Sequence, residues 1–360
     1  MGFSCGIVGL PNVGKSTLFN ALTATAAAAA ENFPFCTIEP NAGRVPVPDP
    51  RLAEVARVAG SARTMPAQMD FTDIAGLVRG ASRGEGLGNQ FLAHIREAAA
   101  ILHVVRCFSG EVTHVEGSVD PVRDAEVINT ELLLADIATI SRAKDGIVRR
   151  AKSGDKALKA QLDALEAAEA ALDAGTPARA LDGAPTLRAL GLITAKPVLY
   201  VCNVDEASAA TGNAWSQEVA AMAAQEGAQA IALSAAAEAE IALLLPEERG
   251  AFLGDLGLAE PGLARVIRAG YALLGLQTFF TAGPKEARAW TIRAGATAPE
   301  AAGAIHTDFQ RGFIRAEVVA YADFVALGGE AAAREAGKLR SEGAAYVMAD
   351  GDVTHFRFNV

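Results

Sequence analysis

A short stretch near the N-terminus limits what this chain can fold into more than anything else in it. Gly9-Leu10-Pro11-Asn12-Val13-Gly14-Lys15-Ser16 fits the spacing GxxxxGK(S/T), with an apolar run (3–9) before it and a helical pattern (15–22) after it. A buried strand that turns through two glycines into a helix leaves a row of backbone N–H groups facing one spot. The positive end of the helix dipole points at the same place, which suits phosphate. In that arrangement Lys15 reaches the β- and γ-phosphates and the Ser16 hydroxyl is placed on Mg2+. Gly9, Asn12, Val13, Gly14 and Thr17 complete the cradle.

The alternation of strand and helix continues along the chain. Residues 67–73 and 101–105 read as strands, and after an interruption so do 197–202 and 230–233. Strands separated by helices imply an α/β fold with a doubly wound, mostly parallel sheet. In the interruption, Leu133, Ile137, Ile140, Ile147 and Ala151 fall at helical spacing, and so do Leu158, Leu162, Leu165 and Leu172. Ser153-Gly154-Asp155 between the runs reads as a turn, with Gly closing one helix and Asp capping the next. The expected result is an inserted antiparallel helical hairpin of coiled-coil type. From about residue 277 the pattern changes to a small mixed domain, with strands at 279–281, 289–292, 312–318 and 354–358 and a short helix at 299–304. The expected division is a nucleotide-binding domain from 1–124 and 197–276, the hairpin at 125–196, and a C-terminal domain at 277–360.

Length and composition agree with several domains. At 360 residues the chain exceeds what one core usually holds, and its 51% hydrophobic content rules out disorder. No uncharged stretch approaches the ~20 apolar residues of a membrane helix, so no membrane role is expected. The start lacks the basic segment of a secretory leader, and Gly6 stands where a myristoylation signal wants Ser or Thr. Cys5, Cys36, Cys107 and Cys202 lie far apart without a CxxC pair, which argues against disulfides and structural zinc and fits a reducing cytoplasm. A net charge of −10 speaks against coating DNA, and no sequence-specific DNA partner is expected. The hairpin departs from that balance: between 142 and 159, Arg142, Lys144, Arg149, Arg150, Lys152, Lys156 and Lys159 face only Asp145 and Asp155. Two readings stay open, a solvated helix face and contact with a polyanion such as ribosomal RNA.

A nucleotide hydrolase also needs a metal-side acid and a γ-phosphate sensor. Asp73-Ile74-Ala75-Gly76 ends a strand and has the DxxG form, with Asp73 on the Mg2+ side and the Gly76 N–H toward the γ-phosphate. Thr37, in the loop between the first helix and second strand, is placed to complete the Mg2+ shell. After DxxG, hydrolases of the Ras type carry a Gln that orients water. Here Leu77 stands there, so intrinsic turnover is expected to be slow. A guanine reader would show NKxD after the strand at 197–202, and this chain shows Asn203-Val204-Asp205-Glu206. Val204 lacks the lysine stem and Glu206 is one methylene too long for the Asp role. Adenine can offer its N6 and N7 to an Asn amide, so ATP is expected over GTP.

Taken together these residues resemble the YchF / Obg-like ATPase family within the P-loop GTPase class. The resemblance rests on residues 9–17, Phe33-Pro34-Phe35-Cys36-Thr37-Ile38, 73–78, Arg83-Gly84-Glu85-Gly86-Leu87-Gly88-Asn89, Thr113-His114-Val115-Glu116-Gly117 and 203–206, and it spans essentially the whole chain. It implies a Ras-like P-loop NTPase fold with an inserted coiled-coil hairpin and a C-terminal TGS domain, the ubiquitin-like β-grasp module. It also implies an ATPase that binds the large ribosomal subunit and its rRNA, turns over slowly alone and faster on the ribosome, and acts in translation or stress. His114 matches the family's substitute for the missing Gln, against the bland reading of a surface histidine without a role. Phe108 matches the residue that packs on adenine, against ordinary core packing. The glycine-rich segment 83–89 matches the second switch. Two further readings remain: a GTP-binding protein, and a nucleotide-gated binding protein whose hydrolysis is incidental.

Overall fold

The structure, a computed structural model, describes residues 3–30, 42–74, 87–110, 117–150, 156–181, 187 and 189–359. Thr37, Gly76, Leu77, His114, Cys36, residues 83–86, Lys152 and the 153–155 turn lie outside the described residues, as do the side chains of Arg149 and Arg150. Two compact units divide the chain: Met1–Ala28, Thr37–Gly43 and Asp70–Val266 form one, and Ala29–Cys36, Arg44–Met69 and Ile267–Val360 form the other. The second unit thus draws Arg44–Met69 from inside the 1–124 segment.

In chain order the first elements are β1 (Ser4–Val8), α1 (Lys15–Ala30), β2 (Ala42–Pro46), α2 (Pro50–Ala59), β3 (Thr64–Met65), β4 (Gln68–Asp73), α3 (Leu87–Glu97) and β5 (Ala100–Cys107). There follow α4 (Pro121–Arg150), α5 (Lys156–Asp173), β6 (Val198–Val204), α6 (Ala214–Gln225), β7 (Gln229–Leu233), α7 (Ala235–Leu243), α8 (Pro246–Asp255) and α9 (Gly262–Leu273). The first unit is built on the parallel run β4-β1-β5-β6-β7. Every residue of β5 and β6 is buried, as expected of central parallel strands covered on both faces. The register sets Ile7 beside Asp73, Val8 beside His103, Cys107 beside Val204 and Asn203 beside Leu233. All five strands therefore end at one edge. Chain order reverses at β1, with β4 on one side and β5 on the other, and ligands of doubly wound sheets bind at such a point.

Helix α1 runs past the expected end at Leu22 to Ala30. The reason is local: residues 26–30 are all alanine, the strongest helix former, and nothing in 15–30 breaks the pattern. The hairpin periodicity reads correctly. Ile140 and Ile147 of α4 bury against Leu165, Ala168 and Leu172 of α5, with Leu133, Ile137, Leu158 and Leu162 packed around them. Its charge is less one-sided than the sequence suggests. Lys144 pairs with Glu169 at 2.5 Å, and the Arg142 Nε donates to the Ala138 carbonyl, while Lys156 and Lys159 are exposed. Lys156 and Lys159 are thus exposed charges of this set that the structure describes without an ion pair, and both readings of the face stay open.

The second unit contains β8 (Leu276–Ala282), β9 (Ala287–Arg293), α10 (Ala298–Ile305), α11 (Thr307–Arg311), β10 (Phe313–Val319), α12 (Tyr321–Leu327), α13 (Glu330–Glu335), β11 (Arg340–Glu342) and β12 (Val353–Phe358). Its sheet order is β11-β10-β12-β8-β9-β3. An antiparallel hairpin, a helix and a second antiparallel pair surround the parallel contact between β8 and β12, an arrangement compatible with a β-grasp. Phe279, Ile292, Ala301, Ala302, Ala316, Val318 and Phe356 form the core beneath α10. On β10, Glu317 is buried to 9 % side-chain exposure and accepts from Arg357 at 3.0 Å and Arg315 at 3.2 Å. The Arg357 hydrogen bond, helped by Arg315, holds this carboxyl below the usual glutamate value. A depressed carboxylate stabilises the fold above its unfolded pKa and loses that contribution as acid protonates it. The stability gap between the parent and Glu317→Gln, read by urea unfolding, is therefore expected to be full near neutrality. It should shrink as the pH falls below about 4.5; a gap unchanged through the acid limb would refute the assignment.

Among the described residues no helix is long and apolar enough to cross a membrane.

Candidate functional site

The shared strand edge carries the loop between β1 and α1. Its glycines answer to close approach. A Cβ on Gly9 would lie 2.4 Å from the Val104 carbonyl, and one on Gly14, at φ +97°, 2.3 Å from the Asn203 Nδ2. Asn12 takes the left-handed conformation at φ 63°, which asparagine tolerates better than most residues. The Leu18 N–H donates to the Gly14 carbonyl at 2.9 Å, so α1 starts directly from the loop.

Lys15 is buried, and its Nζ donates to the Leu10 carbonyl at 2.7 Å, which holds the ammonium against its own loop. Burial lowers its pKa, with Asp73 pulling the other way. At the end of β4 the Ser16 hydroxyl donates to Asp73 Oδ2 at 3.1 Å, and Asp73 Oδ1 is buried without a hydrogen-bond partner. Burial raises the Asp73 pKa against the opposing Ser16 bond and Lys15 charge. An orphaned carboxylate oxygen beside a hydroxyl is a hard-oxygen donor pair, which fits Mg2+. Among the described residues no group of three or more His, Cys, Asp or Glu side chains is placed to hold a metal.

Next to this pair opens a cleft of about 710 Å³. Lys15, Ser16 and Thr17 line one part of it, and Phe108, Asn203 and Val204 another. Gly14 and Asn12 also border it, whereas Gly9 and Val13 are not among its lining residues. Asn203 has a bracing role that its sequence position does not show. Its Nδ2 donates to the Val13 carbonyl at 3.0 Å and its Oδ1 accepts from the Ala235 N–H at 2.9 Å. With both ends engaged and the side chain buried, this amide ties β6 to the phosphate loop and to α7. An amide NH2 carries a second N–H, so Asn203, which lines the cleft, can do this and still offer a donor to a base. Glu206 also lines the cleft, while Asp205 caps the turn after β6 by accepting from the Ser208 N–H at 3.0 Å.

Sequence reasoning missed Ser234, Ala235 and Ala236, which line the cleft at the start of α7. A signal was available: Ser234 directly follows a strand and caps the next helix by accepting from the Ala237 N–H. His103, by contrast, is core. It lies inside β5 stacked on Tyr200, and burial drives its pKa down to about 3. Cys5, Cys107 and Cys202 are free and buried, and burial pushes the Cys5 thiol up to about 12.

A phosphate loop, an acid at the next strand end and a cleft at the reversal point of a parallel sheet define a P-loop nucleoside triphosphatase fold. Residues 4–134 match the family model MMR_HSR1, "50S ribosome-binding GTPase", and 276–359 match YchF-GTPase_C, "Protein of unknown function (DUF933)". The chain is 56% identical over 365 residues to the "Ribosome-binding ATPase YchF" of Escherichia coli O157:H7 and 51% identical over 367 residues to that of Bacillus subtilis, covering all of both chains in each case. It also superposes on the solved Schizosaccharomyces pombe YchF GTPase with a TM-score of 0.89 at 36% identity, covering 99% of this chain and 98% of that one. The chain belongs to the YchF family.

Proposed function

We propose that the chain is an Mg2+-dependent ATPase that associates with the large ribosomal subunit and its rRNA in the cytoplasm, in translation or stress regulation. The observation that carries this reading is the Ser16–Asp73 contact, with its orphaned Asp73 oxygen, facing the Lys15 cleft. The names of the relatives, ribosome-binding ATPases, support the nucleotide and the partner.

In this reading the Ser16 hydroxyl, the Asp73 side and Thr37 would hold Mg2+, which would supply charge neutralisation to the phosphates. Lys15 and the backbone from Asn12 to Thr17 bind the phosphates, and the Gly76 N–H meets the terminal one. Leu77 has no group for water, so turnover is slow until His114 orients the nucleophile. Phe108 offers a ring face to the base, and Val204 lines the same end. Segments 1–124 and 197–276 act as the nucleotide-binding domain, the 125–196 hairpin and the 277–360 TGS domain as ribosome-facing parts. No membrane or sequence-specific DNA enters.

A second reading has one observation in its favour: the MMR_HSR1 model and the S. pombe structure both carry GTPase in their descriptions. Direct titration decides. ATP should bind at least as tightly as GTP, because a site without NKxD hydrogen bonds gives guanine no advantage. Turnover should rise on 50S subunits and lose that rise in His114→Ala. A clear GTP preference overturns the ATP reading; turnover indifferent to both ribosomes and His114 would leave a nucleotide-gated binding protein.

A further inference from the structure

Strand β5 holds a charged residue where none belongs. Arg106 is 2 % exposed inside a central parallel strand, level with Asn203 of β6. A buried guanidinium is costly unless its N–H groups are met. Here they are met by the chain's own exit from β5. Nε donates to the Phe108 carbonyl at 3.2 Å and Nη2 to the Gly110 carbonyl at 3.4 Å. The same guanidinium lies over the Phe108 ring, 4.6 Å from its centroid. A second tether comes from the N-cap of α6: the Asn213 Nδ2 donates to the Cys107 carbonyl at 2.7 Å, while its Oδ1 accepts from the Ser216 N–H.

We propose that Arg106 and Asn213 are positioning residues that fix the Phe108 ring as a preformed wall for the nucleobase. The inference rests on the nucleotide reading above and deepens it. Three carbonyls in four residues are pinned, so the backbone that carries Phe108 is set by the protein rather than by the ligand. One ring face is covered by the guanidinium, which leaves the other for the cleft that Phe108 lines. The cation also draws electron density from the ring, which strengthens stacking on an electron-rich purine. The arrangement serves any purine, and it leaves the triphosphate to the loop.

The test separates base from phosphate by titrating each protein with Mg-ATP and with Mg-tripolyphosphate, which has no base. Because Arg106 is buried, Arg106→Gln is paired with Asn213→Asp, which keeps an oxygen for the Ser216 N–H but removes the donor to Cys107. Stacking on an aromatic side chain supplies a large share of the affinity for a base. Each variant should therefore bind ATP about 10-fold more weakly and tripolyphosphate within about twofold of the parent. Adding Phe108→Ala to either should cost little beyond Phe108→Ala alone, since the residues act as one unit. Equal losses for both ligands, or multiplicative losses in the double variants, would overturn the proposal. Failure of the nucleotide reading would show instead in the parent, as tripolyphosphate uptake without ATP uptake.

Discussion

Lys15→Ala is expected to hydrolyse ATP at least about 10²–10³-fold more slowly than the parent, the order of loss on removing one preorganised donor from a site where charge develops. ATP binding should weaken with it. The fold should survive, for a physical reason visible at the site. Burial lowers the Lys15 pKa, so the protonated side chain is disfavoured in the folded state relative to water. A base whose pKa is lowered on folding weighs against the fold below its unfolded pKa, which includes neutral pH. Removing it relieves that penalty, and the lost bond to the Leu10 carbonyl offsets part of the gain. Thermal unfolding should consequently show a midpoint close to the parent's. Undiminished ATP uptake by a folded Lys15→Ala protein would remove the basis for the functional reading.

The second large effect falls on stability. Asn203→Ala strips the partner from the Val13 carbonyl and from the Ala235 N–H, both in buried surroundings. An unsatisfied buried group costs ~1–3 kcal/mol, so the pair should cost about 2–6 kcal/mol in urea unfolding. ATP affinity should fall too, because the phosphate loop loses its brace to β6. Gly14 makes the two sites interdependent: its missing Cβ is what lets the Asn203 amide lie against the loop. Gly14→Ala should thus resemble Asn203→Ala in both measurements. A loss below about 1 kcal/mol for Asn203→Ala would mean that water takes over both bonds.

What could be read from the sequence follows from how far apart the responsible residues lie. The phosphate loop is legible because its chemistry sits in eight consecutive positions with the correct flanks. Strands β5 and β6 are legible as apolar runs, and the hairpin as two periodic ones. The Asn203 brace is not, since its partner at Val13 is 190 positions away. Asparagine after a strand looks the same whether it reads a base or holds a loop. Arg106 is hidden for the same reason: an arginine in an apolar run gives no hint that it turns back onto carbonyls just beyond it. In the second unit, α11, α12, α13 and β11 run from three to seven residues, too short for periodicity to show.

Strands β5 and β6 pair along seven residues, Ile101 to Cys107 against Val198 to Val204, and the chain between them makes the whole excursion through α4 and α5. The two ends of that excursion, Cys107 and Val198, lie at opposite ends of the paired strands, and the sheet fixes both. Lengthening or trimming the helical arm by whole turns therefore changes its reach without moving Phe108 or Asn203, apart from a slowly growing closure entropy. The arm can be tuned like an interchangeable probe on a fixed handle, its span set independently of the chemistry at its base.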